Sequence, residues 1–224
     1  MEIILIRHFE SKKNIQKSFS LDLATEKLTE KGRILCEKFG YFLGNLCSKH
    51  KLIINQINCT DSLRAKETAS IIASCFNNIP VICHEELKST NAGTLSGKTL
   101  EEVKQIDSFF SKNFYLYEKD LLNSYFFDEN WQNEKKETKK EFEKRVIKCF
   151  LKILENSSST VVIVGHKAPI TAILIYVARL LNIYPSSFYG HIELDLGRLS
   201  WLSFENNSWN IKFVNEEIEN ILQV

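Results

Sequence analysis

Three observations predict an α/β fold, a three-layer α/β/α sandwich around a mostly parallel sheet. Two apolar runs, Ile3–Ile6 and Val161–Val164, each stop at a polar or charged cluster, as strands buried on both faces do. Elsewhere apolar residues recur at helical spacing rather than alternating. Strand-like and helix-like segments take turns, β-α-β-α-β and later α-β-α, the order that yields parallel strands with right-handed crossovers.

The elements follow in order. Ile3–Ile6 is the first strand. Leu28-Thr29-Glu30-Lys31-Gly32 opens a helix with Thr29 as N-cap, and Leu35, Phe39, Phe42, Leu43 and Leu46 form its apolar stripe. Leu52–Ile57 is the second strand and Ser62–Phe76 the next helix, with Ser62 placed to cap it. Val81–Cys83 is a short strand started by Pro80. From about 90 to 136, Gly93, Gly97 and a crowd of aromatic residues interrupt any period, and helical pieces joined by loops are expected. Thr138 and Glu141 make a capping box for a helix through Leu154, whose charge-rich start reads as a solvated face. Val161–Val164 precedes Gly165-His166-Lys167 and a helix to Leu181, with Pro169 in its first turn. Runs around Ile192, Leu199–Phe204 and Trp209–Val214 read as edge strands in hairpins, with a turn at Gly197-Arg198.

At 224 residues the chain is long enough for a core without splitting, and residues 1–224 read as one domain. Lys+Arg 29 against Asp+Glu 28 argues against a nucleic-acid or membrane partner, so any anion preference must be local. The longest apolar stretch, near Ile173, is too short for a membrane span. The six cysteines show no CxxC spacing, and with no secretory pattern they read as reduced thiols of a cytoplasmic protein.

His8 follows the first strand, beside Arg7, and His166 follows another strand after one glycine. In such a sheet both emerge at the C-terminal edge, where ligands bind. Either alone is as well read as a surface or hydrogen-bonded histidine, and Arg64 alone as a helical arginine paired with an acid. Together they offer two imidazoles and two guanidiniums to a phosphoryl group. One neutral imidazole can attack phosphorus, and the arginines take over charge neutralisation, so no metal or cofactor is called for.

Arg7-His8-Phe9-Glu10-Ser11 with Asn14 resembles the RHG-E-x-x-x-N signature of the histidine phosphatase superfamily, the phosphoglycerate-mutase-like enzymes. Leu28–Gly32 is similar to its LT-x-x-G step. Ser62-Leu63-Arg64-Ala65 with Thr68-Ala69 resembles its S-x-L-x-R-A-x-x-T-A segment, one residue shorter in spacing. Glu137-Thr138 with Arg145-Val146 resembles its E-S and R-V pair, and Gly165–Ala168 its S-H-G segment. The matches run in the family's order over about residues 1–182. The resemblance implies a phosphohistidine on His8, with Arg7, Arg64 and His166 binding phosphate and Asn14 assisting. It also places a variable specificity lid at about 90–136.

The chain departs from that pattern at informative places. Where the family carries its general-acid glutamate, L-x-E-x-x-x-G-x-x-E-G, this chain has Leu87 to Gly97 with Ser89 and Ser96 at both glutamate positions. Glu85 or Glu86 supplies the acid only if the loop runs differently; otherwise both are exposed strand-end charge. Phe9 replaces the signature glycine, either narrowing the pocket or stacking on a substrate ring, or else packing in the core. Lys167 either binds a second anionic group, or supplies a proton itself, or is a surface lysine. The expected activity is a metal-independent phosphatase acting on a phosphorylated small molecule, or on a phosphoprotein, with a preference for good leaving groups. A phosphomutase and a catalytically weak phosphoester-binding or regulatory protein are the alternatives, and a homodimer is compatible with the sequence.

Overall fold

The computed structural model describes residues 1–16, 18–19, 27–89, 98–99, 101–102, 105, 137–184 and 192–223. Most of the expected lid, with Ser96, lies outside them. In chain order the elements are β1 (Glu2–Arg7), α1 (Lys12–Gln16), β2 (Ser18–Phe19), α2 (Glu30–His50), β3 (Ile57–Thr60), α3 (Leu63–Ser74), β4 (Val81–His84), a 3-10 turn at Glu85–Leu87, β5 (Lys98–Thr99), α4 (Lys139–Glu155), β6 (Val161–Gly165), α5 (Lys167–Leu180), β7 (Leu199–Glu205), β8 (Ser208–Glu216) and α6 (Ile218–Gln223). The main sheet has the order β4-β3-β6-β1-β7-β8, and β2 pairs with β5 separately.

The two apolar runs occupy the middle of the sheet. β1 lies parallel to β6, from Ile3 opposite Val161 to Arg7 opposite Gly165. β3 is parallel to β6 and to β4, whereas β7 runs antiparallel to β1. Successive side chains of a strand point to opposite faces. Ile4, Ile6, Val162 and Val164 therefore enter one core with α2, α3 and α6. Ile3, Leu5, Val161 and Ile163 enter the other, with α4 and α5. Burying each such side chain contributes roughly 1.5–3 kcal/mol, more than the ~1 kcal/mol span of strand propensities. Burial decides which strands are central. Among the described residues no helix is long and apolar enough to cross a membrane.

The α2 cap forms as expected, Gly32 N donating to Thr29 Oγ1 at 2.9 Å, and so does the Thr138–Glu141 capping box of α4. Several expectations need correcting. The second strand begins at Ile57, not Leu52. Ile53 is 66% exposed and its carbonyl accepts from Thr160 N at 2.9 Å in a loop. The strand itself carries buried Asn58 and Thr60, which hides it from an apolar-run reading. On α2, Leu35 faces solvent and Cys36 is buried, a one-residue shift of the stripe. Ile192 lies in no strand, and β7 is interior, so only β8 of the C-terminal hairpin is an edge. The hairpin turn falls at Asn206-Asn207, both at positive φ, as a two-residue primed turn requires. Gly197 also has positive φ and turns the chain into β7.

Candidate active site

Parallel register assembles the site. With Arg7 opposite Gly165 and His8 N donating to Gly165 O at 3.0 Å, the residues just beyond β1 and β6 stand side by side. The rings of His8 and His166 are 5.1 Å apart and nearly perpendicular. β3, on the other flank of β6, ends in a turn that starts α3 and delivers Arg64 in its first turn. Arg64 Nε donates to His8 Nε2 at 3.0 Å, and its Nη2 lies 3.3 Å from His166 Nδ1. All three side chains are buried.

Hydrogen bonding fixes the proton positions. Phe9 O lies 2.7 Å from His8 Nδ1 and can only accept, so Nδ1 carries the proton and Nε2 the lone pair. By the same logic His166 accepts at Nδ1 from Arg64 and keeps Nε2–H as a donor. Burial, then Arg64 and Arg7, hold the His8 pKa well below the usual histidine value. Burial, then Arg64 and His8, do the same for His166. Both rings are neutral at pH 7, one with a lone pair at Nε2 and the other with an Nε2–H to donate.

Arg7 borders this group. Its Nη1 donates to Leu194 O, and its main chain is bracketed by Gly197 N (3.1 Å to Arg7 O) and by Arg198 O (3.2 Å from Arg7 N). Asn14 Oδ1 accepts from Ser11 N and Oγ at 3.0 and 2.7 Å, so only its Nδ2 hydrogens can address an anion. Lys167 is the first residue of α5, with His166 in the N-cap position.

Other candidates are placed differently. Phe9 takes the packing role of the two open to it. Its ring is buried, edge-on to Phe39 at 5.5 Å, and a Cβ on Gly197 would lie 2.4 Å from it. Glu85 and Glu86 precede buried Leu87 in the 3-10 turn, and both are exposed. Glu85 pairs with Lys88 at 2.9 Å with its side chain 79% exposed, and Glu86 lines a separate groove beside α4. Of the two readings open to Glu85 and Glu86, both take that of exposed charge. Ser89 is half-buried. Ser62 is the N-cap residue of α3, but its hydroxyl makes no cap hydrogen bond.

Sequence reasoning passed over some supporting residues. Thr68 Oγ1 accepts from Phe9 N at 3.3 Å, tying α3 to the loop that holds His8. Arg145 forms a bidentate pair with Glu137 (2.7 and 2.6 Å) and donates to the carbonyls of Glu86 and Lys88 at 2.5 and 3.1 Å. That clamp holds the segment leading to Ser89. The matched motif contained both residues, but only geometry shows what they grip.

The sequence profile of the histidine phosphatase superfamily (branch 1) matches residues 3–217. No curated relative matches by sequence. Among solved structures, YhfR of Bacillus stearothermophilus is 20% identical with TM-score 0.73, over 96% of this chain and 97% of that one. The α-ribazole phosphatase of Shigella flexneri is 21% identical with TM-score 0.72, covering 96% of each chain. A mycobacterial glucosyl-3-phosphoglycerate phosphatase is 19% identical with TM-score 0.71, over 96% of this chain and 99% of that one.

Proposed function

We propose, on the premise that this chain belongs to the histidine phosphatase superfamily (branch 1) and is a phosphoric monoester hydrolase, that it works without a metal through a phosphohistidine on His8. The observation that carries this is the bridge of Arg64 between His8 Nε2 and His166 Nδ1, with His8 Nδ1–H held by Phe9 O. A phosphate entering here draws Arg64 Nε–H onto its own oxygens and frees the Nε2 lone pair. That nitrogen attacks phosphorus, the ester P–O bond breaks, and the leaving alkoxide or aryloxide takes a proton from solvent water. Phe9 O stabilises the charge that develops on the imidazole. Arg7, Arg64 and His166 Nε2–H stabilise the charge spread over the phosphoryl oxygens, with Asn14 Nδ2 and Lys167 at the rim. Water then attacks the phosphohistidine, the P–N bond breaks, and inorganic phosphate leaves.

The substrate class is a phosphorylated small molecule. Fold relatives named for α-ribazole, glucosyl-3-phosphoglycerate and phosphoserine phosphatase activities support that class without choosing a member. Selection among substrates rests on the 90–136 segment. A second reading, a phosphoester-binding protein with weak turnover, is favoured by Ser89 alone.

The test compares wild type and His8→Ala on a panel of phosphorylated compounds in chelator. Turnover falling at least ~10³-fold in the variant, with labelled phosphohistidine trapped only in wild type, is the expected result. Turnover that survives His8→Ala overturns the mechanism, and binding without turnover in wild type supports the second reading.

A further inference from the structure

A cavity of about 630 Å³ lies between the β4 edge of the sheet and α4, and its wall holds a cluster the phosphoryl chemistry does not use. A ring nitrogen of His84, a carboxylate oxygen of Glu86 and Cys149 Sγ all lie within 4.8 Å of one another. We propose that His84, Glu86 and Cys149 bind a divalent transition-metal ion of the zinc class, at a site separate from the phosphoryl pocket.

The donor set is the first argument. Imidazole, thiolate and carboxylate together select zinc-like ions over magnesium or calcium, which take oxygen ligands. Tetrahedral zinc ligation places donor atoms ~3.3–3.8 Å apart, given bonds of ~2.0–2.3 Å. Closing from 4.8 Å takes a shift of about 1 Å, which the exposed side chain of Glu86 can supply.

The second argument is the support behind the histidine. His84 Nε2–H donates to Asn58 Oδ1 at 2.9 Å. Asn58 presents its oxygen because its Nδ2 donates to Val162 O at 3.3 Å and Gln56 Nε2 donates to the same Oδ1 at 3.4 Å. A metal-binding histidine characteristically gives its second nitrogen to such a partner.

Charge balance is the third argument. As the S–metal bond forms, the Cys149 thiol gives up its proton to solvent. The resulting thiolate and the carboxylate together offset the two charges of the ion, on a wall that also carries Lys144, Arg145, Lys148 and Lys152. The fourth position opens to the cavity, where water or an anion completes the coordination.

The test titrates the full chain with Co²⁺ and reads the near-ultraviolet thiolate-to-cobalt band, then displaces the ion with Zn²⁺. One ion per chain is expected, with the band lost in Cys149→Ser and affinity at least about tenfold weaker in Glu86→Gln, whose exposed position spares the fold. Thermal unfolding of each variant separates lost ligation from lost folding. Absence of the band, its survival in a folded Cys149→Ser variant, unchanged affinity in Glu86→Gln, or its loss in Cys83→Ser overturns the site. The last outcome would assign the thiolate to the Cys59–Cys83 pair, whose sulfurs lie 3.3 Å apart.

Discussion

His8 makes two hydrogen bonds with opposite chemical effects. In the proposed mechanism the one to Phe9 O favours charge on the ring and so assists attack, while the one from Arg64 ties up the lone pair until an anion takes the guanidinium away. Arg64→Lys keeps charge but not the two-point bridge, because an ammonium cannot present donors in a fixed fork. Steady-state kinetics should show kcat/KM falling ~10²–10³-fold, with phosphohistidine still trappable. Both histidines also make a pH signature. Their folded pKa values lie below 6.5, so below about pH 6.5 the unfolded chain binds protons that the folded chain refuses. Stability is undiminished above that pH and falls as pH drops toward the folded values, by ~1.4 kcal/mol per unit for each ring. Denaturant melts from pH 7.5 to 5 should show that slope, reduced by one proton in His166→Ala. By the resemblance to the family pattern, Ser89 stands where a positioned acid worth ~10²–10⁴-fold would be. Rates should therefore rise steeply as leaving-group pKa falls across a series of aryl and alkyl phosphates. Ser89→Glu should raise alkyl-phosphate turnover more than aryl turnover, and a flat series in wild type would sink the missing-acid idea.

Helices bring the catalytic loops to the sheet, and two contacts show how tightly. A Cβ on Gly32 would lie 2.2 Å from the Glu10 carbonyl oxygen, so the first turn of α2 rests directly on the loop that follows His8. Gly32→Ala should lower unfolding stability by ~1–3 kcal/mol and depress kcat as well, since the displaced backbone neighbours Phe9. Arg145 makes a comparable link from α4. Arg145→Ala should lower stability by ~1.5–3 kcal/mol, as lost hydrogen bonds to charged groups do, while leaving phosphohistidine formation intact. Element signals in the sequence were strongest where burial is two-sided: β1 and β6 are legible because every residue of the run is apolar. β3 was misplaced because its buried Asn58 and Thr60 look like loop residues until β6 and β4 supply partners. α6 has two buried residues, Ile218 and Ile221, too few for a period to register. The histidine pair and Arg64 were legible because topology alone puts strand ends together. The fates of Phe9, Glu85 and Glu86 were not, since each depends on which neighbour packs first.

Across the whole molecule, the site joins residues 56 and 102 positions apart in the chain. An anion bound there therefore stabilises the complete fold and no part of it. Phosphate at 100 times its Kd should add ~2.7 kcal/mol to global unfolding, with midpoint rising in proportion and m-value unchanged. The central place of β1 has a kinetic corollary. It is hydrogen-bonded to β6 on one side and β7 on the other, with Ile4 and Ile6 fully buried. Its amides can meet deuterium only when the entire sheet opens. The proposed nucleophile thus hangs from the last segment to let go, and on warming, catalysis should persist up to the cooperative transition instead of fading ahead of it.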